Sequence, residues 1–257
     1  MKVNILMLRS RVIPCLLLSN SGLVKTTRFG AAKYVGDPIN TVKIFNDKEV
    51  DELILFDIEV SKRGSEPNYD LLREITSECF MPVCYGGGIS SVERALKLVQ
   101  IGVEKIAINS AAISNQGLIT ELADALGTQS VVAGIDVKKD WLGRARIFDS
   151  STGKLTDRSP EAQVEELARA GAGEILLNNV DRDGTREGYD LSLISRVSNA
   201  TSVPVIACGG AGSLEDLVDA LAAGASAAAA GSMFVFQGRH RAVLISYPTY
   251  EERKKLA

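Results

Sequence analysis

Two glycine clusters stand at matched places in the chain. Gly86-Gly87-Gly88 and Gly209-Gly210 each follow an apolar run that begins Pro-Val. One apolar segment later comes a hydroxyl residue, in Asn109-Ser110 and again in Gly231-Ser232. Glycine lets a ligand approach the backbone, and free N–H groups cradle an anion. The pattern predicts two phosphate-type sites, one at Gly87, Gly88, Asn109 and Ser110, the other at Asp183, Gly184, Gly210, Gly231 and Ser232. A ligand with a phosphate at each end would suit them, although the same glycines can serve only to turn the chain. The loop from Leu18 to Gly36 adds Lys25, Arg28 and Lys33 with no acidic residue. A second stretch holds Lys138, Lys139, Arg144 and Arg146 against Asp140. Such basic rims favour an anionic ligand, and Arg144 and Arg146 also read as a solvated face. Asp136 closes the run Ser130–Asp136. Leu17, which the internal register sets opposite it, can neither donate nor accept a proton.

These residues need a scaffold that collects strand ends. Eight short apolar runs read as strands: Arg11–Leu17, Glu52–Asp57, Pro82–Tyr85, Lys105–Asn109, Ser130–Asp136, Glu174–Asn179, Val203–Cys208 and Ser226–Gly231. They lack strict alternation, as parallel strands buried on both faces do. Helix signals lie between them. Asp37-Pro38 and Ser159-Pro160 open helices, Ser90-Ser91-Val92-Glu93 reads as a capping box, Ser213-Leu214-Glu215-Asp216 as a weaker one, and Gly171 as a stop. Eight strands and intervening helices in 257 residues fit a (β/α)8 TIM barrel. A doubly wound open sheet is the alternative.

The chain also repeats itself. An offset of 122 residues superposes Pro82-Val83 on Pro204-Val205, Gly87-Gly88 on Gly209-Gly210, Gly102 on Gly224, Ser110 on Ser232 and Glu52–Leu55 on Glu174–Leu177. The expectation is one barrel domain over residues 1–257, built from half-barrels of about 9–122 and 123–245.

Composition narrows the class. Lys and Arg total 29 and Asp and Glu 32, a net charge of −3, without the basic excess of a nucleic-acid binder. Hydrophobic residues at 46% and charged residues at 24% exclude a disordered chain. The longest small apolar run, Ala220 to Gly231, falls short of the roughly 20 residues of a membrane span. Met1 to Arg11 lacks the pattern of a secretory signal. Cys15, Cys79, Cys84 and Cys208 show no CxxC spacing and read as buried thiols of a cytoplasmic protein. The motifs imply no metal and no cofactor. His240, between Arg239 and Arg241, reads as a surface residue, and Trp141 as a cover for the mouth or as hairpin packing.

The chain resembles the cyclase subunit of imidazole glycerol phosphate synthase, HisF. The motifs are Arg11-Val12-Ile13-Pro14-Cys15-Leu16, Asp51-Glu52-Leu53 with Asp57-Ile58, Gly86-Gly87-Gly88-Ile89, Lys105–Asn109, Gly134-Ile135-Asp136, Gly173–Leu177, Asp181-Arg182-Asp183-Gly184-Thr185 and Gly209-Gly210-Ala211-Gly212. That family is a barrel docked on a glutaminase, with ammonia passing through it. The resemblance implies an ammonia gate at Arg11, Glu52, Lys105 and Glu174, which could equally be a stabilising salt-bridge cluster, and a HisH-like glutaminase as heterodimer partner. It also exposes departures. The resemblance implies an acid–base pair of carboxylates at the ends of strands 5 and 1. The first is Asp136, the candidate catalytic residue, but the second is Leu17 here. Glu59, Asn178 and Cys208 replace hydroxyl residues at the mouth, and the segment from Gln237 onward differs. Together with the run from Cys15 to Lys25 and the tail Val235–His240, this is similar to the WbuZ-like amidation-associated proteins of surface-polysaccharide clusters. That likeness implies delivery of ammonia to a sugar amidotransferase that makes an acetamidino group. The alternative is a working cyclase of histidine biosynthesis, with Glu59 or a water in place of the lost acid. A scaffold that only activates the glutaminase is a third reading.

Overall fold

The structure, a computed structural model, describes residues 10–115 and 117–256. Met1 to Arg9, the larger part of the segment read above for a secretory signal, lies outside the described residues, as does the first residue of the expected half-barrel. Eight parallel strands close on themselves. They are β1 (Arg11–Ser19), β2 (Leu53–Asp57), β3 (Val83–Gly86), β4 (Lys105–Ile108), β5 (Val131–Lys139), β6 (Glu174–Asn179), β7 (Val205–Cys208) and β8 (Ala227–Ala230). Each pairs with the next, and β8 returns to β1 through Arg11↔Ala227 to Pro14↔Ala230. This is a (β/α)8 barrel, and closure decides against the open sheet.

Seven helices of nine or ten residues pack outside: α1 (Pro38–Asp47), α2 (Tyr69–Glu78), α3 (Val92–Gln100), α4 (Gly117–Leu126), α5 (Pro160–Arg169), α6 (Leu191–Asn199) and α7 (Leu214–Ala222). Asp37 and Ser159 cap α1 and α5, each accepting a backbone N–H of the first turn. The capping boxes are the reverse of the sequence expectation. Ser91 caps α3, its third helical residue is Arg94, and Arg94 cannot reciprocate; Glu93 instead pairs with Lys97 at 2.8 Å. At α7, Ser213 and Asp216 form the complete reciprocal box, because a carboxylate stands three residues on. Gly171 adopts φ +104° just past α5, where a side chain would be strained.

Two apolar layers result. Residues such as Val12, Leu16, Leu53, Ile106 and Ile175 point outward to the helices. Ile13, Cys15, Ile54, Cys84, Ala107, Val132, Leu176, Ile206, Ala227 and Ala229 fill the barrel. Ala is a weak strand former, yet β8 is four alanines, all buried. Burial on both faces overrides the propensity there.

Two strands outrun their expected ends. β1 continues into an antiparallel hairpin with Gly22–Lys25, which pairs on to Lys33–Gly36. β5 continues into one with Ala145–Asp149. These partly exposed hairpins lack the continuous apolar run that marks barrel strands. The tail forms a short hairpin, Phe236–Gln237 with Ala242–Val243, and a one-turn helix, Tyr250–Arg253, in place of a long last helix. His240 lies exposed in that hairpin turn. All four cysteines are free, but only Cys15 and Cys84 are fully buried, which corrects the expectation for Cys79 and Cys208. Among the described residues, no helix is long and apolar enough to cross a membrane.

Candidate functional site

A cavity of about 960 Å³ opens at the C-terminal ends of the strands. Inward side chains on β1, β2 and β4 to β7 form its floor: Cys15, Leu17, Phe56, Ala107, Asp136, Leu176, Asn178 and Cys208. The loops after the strands form its walls.

Asp136 is the best defined group. It is 5% exposed, and Asn109 donates an amide N–H to its Oδ2 at 2.7 Å while Asn178 donates to its Oδ1 at 2.9 Å. Burial pushes its carboxyl up to about 6, against the pull of the two amides and with a further push from the charges of Asp183 and Asp149. An acid poised there can carry or release a proton near neutrality. Leu17 lines the same cavity from β1 and is paired with Phe56 of β2. The wall opposite the carboxyl therefore presents an apolar side chain. Glu59 also lines the cavity, but its carboxylate lies 3.5 Å from Arg63 of the same turn.

Lys25 and Asp183 form a buried pair, Nζ to Oδ1 at 3.1 Å, with Thr26 donating to Oδ2. Burial works against the Lys25 charge, but Asp183 and the Cys15 and Cys208 sulfurs outweigh it and raise the pKa. Interaction between the Cys15 and Cys208 thiols lowers the Cys15 pKa despite burial and raises that of Cys208. Small inward residues on β8, Ala227 and Ala229, leave room for the two thiols between their strands.

The glycines sit where a side chain would not fit. A Cβ on Gly210 (φ +126°) would fall 2.2 Å from the Gly188 carbonyl oxygen, and one on Gly184 (φ +73°) 2.3 Å from that of Thr26. Gly87, Gly88, Asn109, Ser110, Asp183, Gly184, Gly210, Gly231, Ser232 and Lys25 all line the one cavity. Several already have partners. The Gly88 N–H donates to Ser61 Oγ, and its carbonyl accepts from Arg94. Ser110 Oγ lies 3.4 Å from Ser150 Oγ.

The basic rim is largely dissolved. Arg28 donates to the Asp181 carbonyl, Lys33 lies over the Phe236 ring, and Arg144 and Arg146 turn to Asp140. Lysine and arginine side chains are long, and a nearby acceptor redirects them. The cations on the cavity wall are Lys25, Lys62 and Arg94, of which sequence reasoning picked out the first. Trp141 stands 89% exposed at a hairpin tip and covers nothing. Asn178 was legible as an exchanged residue, but its role needed the strand pairing Asn178↔Asp136. Among the described residues no cluster of three or more His, Cys, Asp or Glu could hold a metal ion.

At the other end of the barrel four charges close a ring. Arg11 bridges Glu52 and Glu174 at 2.5 Å each. Lys105 bridges the same two carboxylates at 3.0 and 2.9 Å. Glu52 is 2% exposed and is paired with both cations. Burial lowers the Arg11 pKa, but bonds and charges from the two glutamates raise it further. Beside the ring, Asp51 accepts from the Val12 N–H at 2.9 Å and from Arg253 at 2.7 Å. Tyr247 O–H donates to the Val12 carbonyl at 2.7 Å. The tail is thereby bound to the floor of the barrel, a contact the sequence did not announce.

The pattern of the histidine biosynthesis protein family matches residues 11–241. A HisF2 protein of Pseudomonas aeruginosa is 54% identical over 243 residues, 94% of this chain and 97% of its own length. The chain belongs to the HisF family. A HisF3 protein of Vibrio vulnificus is 48% identical over 97% of this chain and 96% of its own. The imidazole glycerol phosphate synthase subunit HisF of Alkaliphilus metalliredigens is 39% identical over 89% of this chain and 91% of its own. In this HisF-family chain, the ring and the glycine-lined mouth lie at opposite ends of one barrel.

Proposed function

We propose that this HisF-family barrel takes ammonia from a HisH-like glutaminase docked at the Arg11–Glu52–Lys105–Glu174 end and releases it at the glycine-lined mouth. There it serves acetamidino modification of a surface-polysaccharide sugar by a separate amidotransferase. Leu17 facing Asp136 carries the choice. Imidazole ring closure needs proton transfers on two sides of one substrate, and the strand 1 side is apolar. Loss of one acid–base partner removes about 10²–10⁴ in rate. The apolar barrel interior favours neutral ammonia over a charged ion, and the ring controls entry. The two half-barrel repeats each contribute a glycine cluster, and the mouth takes a phosphorylated ligand through their backbone donors.

The experiment supplies the substrate of the imidazole glycerol phosphate cyclase with ammonium and no glutaminase, which separates chemistry from delivery. The expected turnover is about 10²–10⁴ below that of an ordinary cyclase. Ordinary turnover overturns this reading. A second reading, the histidine-pathway cyclase, is favoured by the Asp136 carboxyl near 6 and by the names of the relatives; it requires Glu59 or a water to serve in place of the second acid.

A further inference from the structure

Beyond Asp136, β5 rises out of the rim as a hairpin with Ala145–Asp149. The base of this hairpin belongs to the cavity, since Phe148, Ser150 and Ser151 line it. Its tip is stiff. The Asp140 N–H donates to the Arg144 carbonyl, and the Gly143 N–H to the Asp140 carbonyl, each at 2.9 Å. Asp140 Oδ1 accepts the N–H groups of Leu142 and Arg144, both at 2.9 Å, and its Oδ2 takes Arg144 Nε at 2.7 Å. Gly143 turns the chain at φ +77°. This frame holds Trp141 and Leu142 out into solvent, 89% and 52% exposed. A fixed tip presents both side chains with little loop entropy left to lose, and Trp and Arg dominate binding hot spots.

The charge around the tip is one-sided. Residues 138–158 carry six Lys and Arg against three Asp, in a chain of net charge −3. Lys139 and Arg144 are more than half exposed, each beside one carboxylate, Asp190 at 3.7 Å and Asp140 at 2.7 Å, so the excess of positive charge belongs to the hairpin as a whole. A partner that fits has an apolar socket for Trp141 edged by acidic residues. The hairpin stands at the mouth, and the charged ring is at the opposite end, so the glutaminase occupies another face.

Resting on the delivery role above, we propose that the Trp141–Leu142 hairpin docks the ammonia-consuming enzyme over the mouth. Docking there covers the opening at which ammonia leaves and limits its escape to solvent.

The test uses the barrel, the glutaminase and the sugar amidotransferase of the same genome. The variant is Trp141→Ala with Leu142→Ser, two exposed positions, with its fold checked by circular dichroism. Affinity for the amidotransferase is expected to fall at least about tenfold. Product made from glutamine falls with it, product made from added ammonium stays, and the glutaminase still binds by light scattering. Unchanged affinity and unchanged glutamine-driven product in the variant overturn the docking assignment alone. So does a wild-type barrel that fails to bind the amidotransferase. A wild-type homodimer that the variant dissolves overturns it in favour of a second copy. No product from glutamine with all three wild-type proteins overturns the delivery role and the docking with it.

Discussion

Asn178 donates its amide to Asp136 Oδ1 at 2.9 Å from the directly paired position on the neighbouring strand. Asn109 holds the other carboxylate oxygen at 2.7 Å. The carboxyl is therefore fixed in orientation and stays a strong acceptor, while the Oδ1 atoms of both asparagines have no hydrogen-bond partner.

This arrangement sets a pH dependence. The folded carboxyl titrates near 6, above its ordinary value, because of burial. The folded state thus binds more protons between the ordinary carboxylate range and pH 6. Its contribution to stability is complete below that window and is lost as pH rises through 6. Asp136→Asn removes the buried charge, and one asparagine amide can turn to accept. The variant should be more stable than wild type at pH 8 by about 2–3 kcal/mol, with the gap closing towards pH 4. Urea denaturation at several pH values measures this; a gap that ignores pH would refute it.

Leu17→Asp restores a proton carrier opposite Asp136. Cyclase turnover with ammonium should rise about tenfold or more, recovering part of the roughly 10²–10⁴ lost. No gain, with the fold intact, would place the block in substrate binding instead.

Lys105→Met opens the charged ring. Glu52 and Glu174 then share Arg11 alone, and a stability loss of about 3 kcal/mol is expected. Glutamine-driven product should change while ammonium-driven product does not. A denaturation midpoint equal to wild type would mean the ring is not held as described.

Arg253→Ala leaves the Asp51 carboxylate without its closest cation, at 2.7 Å. The loss should be on the order of 3 kcal/mol. Tyr247→Phe should cost about 1 kcal/mol, since the Val12 carbonyl loses its O–H donor. Thermal unfolding of both variants checks whether the tail secures the floor of the barrel.

Inorganic phosphate should raise the melting temperature of the wild-type protein in proportion to the logarithm of its concentration. Gly210→Ala should lower stability and abolish that rise, because the new Cβ meets the Gly188 carbonyl. An identical phosphate response in the variant would remove Gly210 from the anion site.

The barrel was legible in the sequence because its determinants are local and periodic. Strands buried on both faces must be apolar runs, helices announce their caps, and a turn at positive φ demands glycine, as at Gly210 and Gly171. The absence of a proton carrier at Leu17 was equally visible, since a hydrocarbon side chain has no titratable group in any surroundings. What only the tertiary structure decided is which groups meet. Asn178 bonds Asp136 because parallel pairing sets them side by side from residues 42 apart in sequence. Lys25 stayed at the cavity, while Arg28, Lys33, Arg144 and Arg146 left the expected rim because each found a carboxylate, a carbonyl or a ring nearby. The Asp51–Arg253 pair joins residues 202 apart. Contacts of that range depend on how the closed barrel folds the chain back on itself, and no local pattern encodes them.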